Sequence, residues 1–191
     1  MIHSGGKKSG ERGVAIVLDE ETGERVKKGV QHSDRVIVVK MEAEPRDIVA
    51  VQVYMPTSSS EDEKVDEVYE QINDIIEAEK GNDYLILMGD WNAVIGEGEQ
   101  GREVGKYGHG RRNERGEKLV EFCRENKFMV INTWFEQENR RRYTWKQPGD
   151  TNRYQLDYIL VRQRYRNSVK KSCSFPRSRC RIRSQLSYDE D

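Results

Sequence analysis

Apolar positions along this chain follow two periods. Gly13–Leu18, Arg35–Lys40 and Ile48–Tyr54 are short β-branched runs, separated by turn signals at Glu20–Glu24 and at Pro45-Arg46-Asp47. Runs of that kind predict three strands of a meander, most simply antiparallel. The period then changes: Val65, Val68, Tyr69, Ile72, Ile75 and Ile76 recur at helical spacing. They give one buried stripe, on a helix that Ser60 and Glu63 would open as a capping box and that Lys80-Gly81 would close. Tyr84–Met88 is apolar without interruption, as in a strand buried on both faces, although periodicity alone leaves a buried helix open. Six glycines fall between 96 and 113, predicting a long loop of the kind that is often functional. A second helix over 114–126 turns Leu119, Phe122 and Cys123 inward. Strands are expected at Phe128–Asn132, Tyr143–Trp145 and Gln155–Val161. Strands alternating with two helices predict a layered α/β sandwich.

Composition narrows this picture. At 191 residues, 35% apolar and 35% charged, the chain fits one domain whose core is confined to a few strands and helices. That domain spans 13–171, between a disordered leader over 1–12 and an irregular tail over 172–191. No run of eighteen apolar residues occurs and the first residues do not resemble a signal peptide, so no membrane partner is expected. Cys123, Cys173 and Cys180 are an odd set without metal-ligand spacing, which fits free thiols in a reducing interior, nucleus or cytoplasm. The net charge of -1 hides an asymmetry: 14 Lys/Arg stand against 2 Asp/Glu between Asn139 and Arg183, leaving -13 on the remainder. Such a basic stretch is commonly a solvated face. Interleaved with Tyr143, Trp145, Tyr154, Tyr158 and Tyr165, it equally suits contact with DNA, since aromatic rings stack bases while Arg holds phosphate.

The chemistry concentrates in Gly89-Asp90-Trp91-Asn92, at the carboxyl end of the Tyr84–Met88 run. Strand side chains alternate, so residues two apart share a face. An acid and an amide on one face suit a hard cation, or the aiming of water at a phosphate. The same residue types also build plain Asx turns.

Five segments then occur in a particular order: Val53-Tyr54-Met55-Pro56-Thr57, Met88-Gly89-Asp90-Trp91-Asn92-Ala93, Asn132-Thr133-Trp134-Phe135, Tyr143-Thr144-Trp145 and Leu156-Asp157-Tyr158-Ile159-Leu160. Together they resemble the endonuclease/exonuclease/phosphatase superfamily over roughly residues 4–171. Ser33-Asp34-Arg35-Val36, Asn113-Glu114-Arg115-Gly116-Glu117 and Arg141-Arg142-Tyr143-Thr144-Trp145 resemble one branch of it. That branch holds the endonuclease domains of RTE-type LINE retrotransposons, the craniofacial development protein 2-like group among them. The resemblance implies a four-layered α/β sandwich that hydrolyses phosphodiesters with Mg²⁺ or Mn²⁺. It implies that Asp90 handles the attacking water or leaving group and that Asn92 orients phosphate or metal-bound water, these two being the metal-side residues. Tyr54 would bond the scissile phosphate and Asp157 would be a further catalytic carboxylate. Asn132 and Trp145 would line the substrate wall, positions that core packing and turn formation explain equally well.

The family pattern also includes an Asn and a metal-ligating Glu on two strands ahead of Gly13–Leu18. The 12 residues upstream, at about 3.3 Å each, cannot supply two strands and a helix. The pattern ends in Ser-Asp-His, whereas His3, His32 and His109 all precede Asp157. A one-nucleotide frame shift just upstream of Pro176 would account for the irregular tail. The expectation is therefore an incomplete sandwich, truncated at both ends. Its function would be a retrotransposon-derived, metal-dependent DNA endonuclease with impaired turnover. The alternative is an inactive remnant that at most binds nucleic acid or protein.

Overall fold

The computed structural model describes residues 2–5, 13–79, 81–149, 152–173 and 183–186. Where the sequence suggests one domain, the chain divides into two compact units, 1–91 and 92–191. The boundary falls between Trp91 and Asn92.

The first unit holds β1 (Ile2–Gly5), β2 (Gly13–Ile16), α1 (Glu20–Glu24), β3 (Val26–Gln31), β4 (Val36–Met41), β5 (Ile48–Tyr54), α2 (Asp62–Ala78) and β6 (Tyr84–Asp90). The expected antiparallel meander exists but is built from β3, β4 and β5, with β6 added parallel to β5. The run expected over Gly13–Leu18 is a strand only to Ile16 and pairs antiparallel with β1, so residues 2–5 are a strand and not part of a disordered leader. The expected turn at 20–24 is a short helix capped by Asp19, whose carboxylate accepts from Thr22 N. β3 has no apolar alternation, being largely exposed, which is why the sequence pattern passes over it.

Alternation along β4 and β5 sorts the two faces of this sheet. Ile37, Val39, Met41 and Ala50 form a cluster with Val14 and Ile16 of β2. The stripe predicted on α2 is buried in full, from Val65 to Ile76. Burial of six such side chains, at about 1.5–3 kcal/mol each, outweighs any cap. The predicted capping box does not form: the N-cap is Glu61, without a side-chain cap bond. Ser60 sits one residue upstream, its hydroxyl 3.3 Å from that of Thr57.

The second unit holds α3 (Glu114–Glu125), β7 (Phe128–Val130), β8 (Trp145–Lys146), β9 (Arg153–Tyr154), β10 (Asp157–Arg162), β11 (Val169–Cys173) and β12 (Arg183–Leu186). β7 runs antiparallel to β10 and β8 to β9. β11 pairs antiparallel with β12, so the tail, expected to be irregular, contributes a strand at 183–186. The long glycine-rich loop carries isolated bridges only, Gln100 to Val104 and Val104 to Val130. It is tied down nonetheless, because Gly105 and Tyr107 donate backbone N–H groups to the Thr133 hydroxyl and carbonyl, at 2.7 and 2.9 Å.

Candidate functional site

Two of the six candidate residues belong to the first unit and meet there. Tyr54 ends β5, Asp90 ends β6, and the parallel register makes them partners. Both are half-buried. Met55 N donates to the Asp90 carbonyl at 2.9 Å, extending the ladder one residue past Tyr54. Gly89 explains why the strand can finish this way. Its φ is +141°, and a Cβ there would lie 1.9 Å from the Val53 carbonyl oxygen, a distance no side chain tolerates. Arg35, which the sequence motifs include without a role, braces Tyr54. Its guanidinium lies 5.4 Å from the ring centroid and donates to the Tyr54 carbonyl at 3.0 Å. This puts a fixed cation beside the phenol.

The other four candidates belong to the second unit. Asn92 is not a strand residue: its φ is +46°, in the left-handed region. Strand alternation therefore does not put Asp90 and Asn92 on one face, since β6 ends at Asp90. Asn is among the few non-glycine residues that enter this region, at a cost of about 1–2 kcal/mol. The residues after it are held closely. Val94 N donates to Asn113 Oδ1 at 3.0 Å, Ile95 N to the Tyr158 hydroxyl at 3.1 Å, and Arg112 Nε to the Ile95 carbonyl at 2.6 Å. Tyr158 in turn donates to the Gln155 carbonyl at 2.7 Å.

Asp157 begins β10 and is half-buried. Its N–H and that of Leu156 both point to the Thr144 hydroxyl, at 3.2 and 3.0 Å, which fixes the backbone that carries the carboxylate. Asn132 is buried in a 3-10 turn after β7, and its Oδ1 accepts from Ile159 N at 2.8 Å. That bond binds the end of β7 to β10 two residues beyond Asp157. Trp145 is not core: it is 43% exposed on β8, with its ring centroid 5.9 Å from that of Tyr154. Beside it Tyr143 is buried, with Arg153 and Lys146 at 5.0 and 5.7 Å from its ring centroid. His109, on the long loop, places Nε2 at 3.2 Å from the Arg153 carbonyl. Cys123 is fully buried, and burial reinforced by the charge of Glu103 pushes its thiol well above the ordinary range, so it is not a nucleophile.

Among the described residues no group of three or more His, Cys, Asp or Glu side chains could hold a metal ion. The acid at the end of β6, Asp90, offers oxygen donors. That donor type suits Mg²⁺ or Mn²⁺ held jointly with water and a substrate phosphate, because Mg²⁺ commonly uses only one or two protein carboxylates. It does not amount to a cage that retains the ion alone. No helix among the described residues is long and apolar enough to cross a membrane.

Solved structures place this architecture. The endonuclease domain of TRAS1, a telomere-specific non-LTR retrotransposon, superposes with a TM-score of 0.54 at 15% identity, covering 82% of this chain and 63% of that one. AP endonuclease LMAP from Leishmania major gives 0.58 at 13% identity, covering 83% and 56%. A 3′ phosphatase, NExo, from Neisseria, bound to a product DNA hairpin, gives 0.58 at 12%, covering 81% and 65%. The fold is the mixed α/β arrangement of these nucleases, a central sheet with helices. At the sequence level the chain is 36% identical over 168 residues to craniofacial development protein 2 of Bos taurus, and 34% identical to that of Tragulus javanicus. Those alignments cover 88% of this chain but only 28% and 29% of the two relatives. No family model matches.

Proposed function

We propose that the chain is a retrotransposon-derived endonuclease domain that hydrolyses DNA phosphodiesters with Mg²⁺ or Mn²⁺, at a reduced rate. The observation that carries this reading is the delivery of Tyr54 and Asp90, side by side, to the carboxyl ends of two parallel strands. Open α/β sheets characteristically bind their ligands there. The likeness to a retrotransposon endonuclease and to a DNA-bound phosphatase supports DNA as the substrate.

On this reading the Tyr54 phenol donates a hydrogen bond to a non-bridging oxygen of the scissile phosphate, with Arg35 adding positive charge nearby. The Asp90 carboxylate accepts the proton of the attacking water. The Asn92 amide orients the phosphate, and Asp157 supplies a second carboxylate. Trp145 offers an exposed ring to a base, and Asn132 supports the substrate wall from within, its side-chain oxygen engaged by Ile159 N. Asp90 and Asn92 are the residues that would hold a divalent cation, which would supply positive charge to the phosphate. With no group of three or more His, Cys, Asp or Glu side chains among the described residues that could hold a metal ion, turnover should be slow. Access to DNA goes with a nuclear or cytoplasmic setting.

Nicking of supercoiled plasmid with Mg²⁺ or Mn²⁺ tests the reading. Wild type should nick, and Asp90→Ala should lower the rate at least about 100-fold, as loss of a reacting group typically does. Salt-sensitive DNA retention without cleavage would replace the hydrolase with a binding remnant.

A further inference from the structure

We propose that Asn113 is a positioning residue for Asn92, acting through the backbone of the turn that follows it. The role in hydrolysis rests on the reading above; the control of the turn does not. Three observations within the second unit converge on residues 93–95. Asn113 Oδ1 accepts two hydrogen bonds, from Gly116 N at 2.8 Å and from Val94 N at 3.0 Å. The first is an ordinary N-cap bond for α3. The second reaches 19 positions back along the chain, so one oxygen joins the start of a helix to the turn that carries the candidate amide. The Asn113 N–H completes a ring by donating to the Val94 carbonyl at 3.1 Å.

Gly116 permits this contact at a cost in helix propensity. It lies in the first turn of α3, where glycine is among the poorest helix formers. A Cβ there would lie 2.0 Å from the Val94 carbonyl oxygen, so any larger residue would push the turn away from the helix. Arg112 completes the clamp through the Ile95 carbonyl at 2.6 Å. Asn92 adopts a φ of +46°, a conformation that persists only where its surroundings over-determine it. The clamp on the next three residues is such a surrounding. The turn sets the direction of the Asn92 side chain, and small displacements of a positioning group are costly in rate.

The test compares Asn113→Ala with Asn113→Asp. Asp keeps an oxygen for both N–H donors, and Asn113 is exposed, so neither variant opens a core cavity. Asp19→Ala removes the cap of α1, an equivalent loss remote in sequence, and serves as the control. In Asn113→Ala the Val94 amide should exchange with solvent at least about 5-fold faster, the fold-change expected from losing one capping bond. Nicking kcat should fall on the order of 100-fold with KM for DNA within twofold. Asn113→Asp should restore both, and Asp19→Ala should leave Val94 exchange unchanged. Unchanged Val94 exchange in Asn113→Ala overturns the proposal, as does equal acceleration in Asp19→Ala, failure of the Asp rescue, or wild-type kcat in Asn113→Ala. If wild type does not nick, the hydrolase reading falls, and the exchange comparison still decides whether Asn113 sets the turn.

Discussion

The two units are held together by different forces. In the first, the described buried residues are apolar, stacked on the faces of β4, β5 and β6 or along the stripe of α2. In the second, apolar residues share the interior with Glu103, Asn132, Thr133, Gln155 and Ser172, which are all the buried polar residues among those described. Several of these are connectors. The Thr133 hydroxyl donates to the Val130 carbonyl while accepting from Gly105 N, both at 2.7 Å. Glu103 accepts from the Gln163 amide at 3.1 Å. Apolar burial is non-directional, so it fixes elements and leaves details loose. Hydrogen bonds between side chain and backbone are directional, and a missing partner costs more than the bond contributes. The first unit thus supplies a stiff sheet ending at Tyr54 and Asp90, whereas the second shapes irregular backbone around Asn92, Asn132 and Asp157.

That contrast makes the largest predicted effect a cavity in the first unit. Ile72 is completely buried on α2, and Ile72→Ala should cost about 2–5 kcal/mol in urea-induced unfolding. A smaller, qualitatively different loss is expected for Thr133→Val, which keeps the shape and removes the hydroxyl. Gly105 N–H loses its acceptor and Val130 its donor, at about 1–3 kcal/mol. Hydrogen exchange at Gly105 should rise with it. A Thr133→Val protein as stable as wild type would show that the second unit relies on apolar packing as the first does.

The same difference explains what could be read from the sequence. All six apolar positions of α2 were legible because burial imposes a 3.6-residue period. β5 matched over Ile48–Tyr54 because its partners on both sides hide it. β3 was not legible, since an exposed strand needs no apolar alternation, and β1 is a short partner to β2 with no period of its own. Among the candidate residues, Tyr54 and Asp90 are register partners, but the sequence implied the wrong backbone at Asn92. Alternation assumes the strand continues, and the Gly89 bend followed by a left-handed residue ends it. Asn113 and Tyr158 were visible within motifs, yet their work depends on bonds spanning 19 and 63 positions. No local pattern encodes such separations.

Gly116→Ala sharpens the comparison because two effects oppose each other. On an exposed helix the change should stabilise by about 1 kcal/mol. Here the added Cβ meets the Val94 carbonyl oxygen, and overpacking of this kind costs about 1–3 kcal/mol. The expected net result is a modest destabilisation, read as a lowered urea midpoint. A raised midpoint would mean that the turn yields to the helix and that the clamp on residues 93–95 is soft.

The smallest effect belongs to the polar rim of the first unit, and it is a dependence on pH. Asp47 is held below the ordinary carboxylate value of 3.8, chiefly by the hydrogen bond from Lys27 Nζ at 3.0 Å. A carboxyl whose folded pKa is depressed stabilises the fold above its unfolded pKa, and that contribution disappears as pH falls through the folded value. The wild-type protein should therefore lose stability more steeply than Asp47→Asn below about pH 4, and the two should run parallel between pH 5 and 7. Because the Lys27 side chain is 43% exposed, solvent screens the pair and the difference should shrink further in high salt. Midpoints from urea titrations across pH 2.5–7 measure it. A gap that persists unchanged in molar salt would mean the pair is shielded from water, and that this rim is built more like the polar interior of the second unit than like a solvated edge.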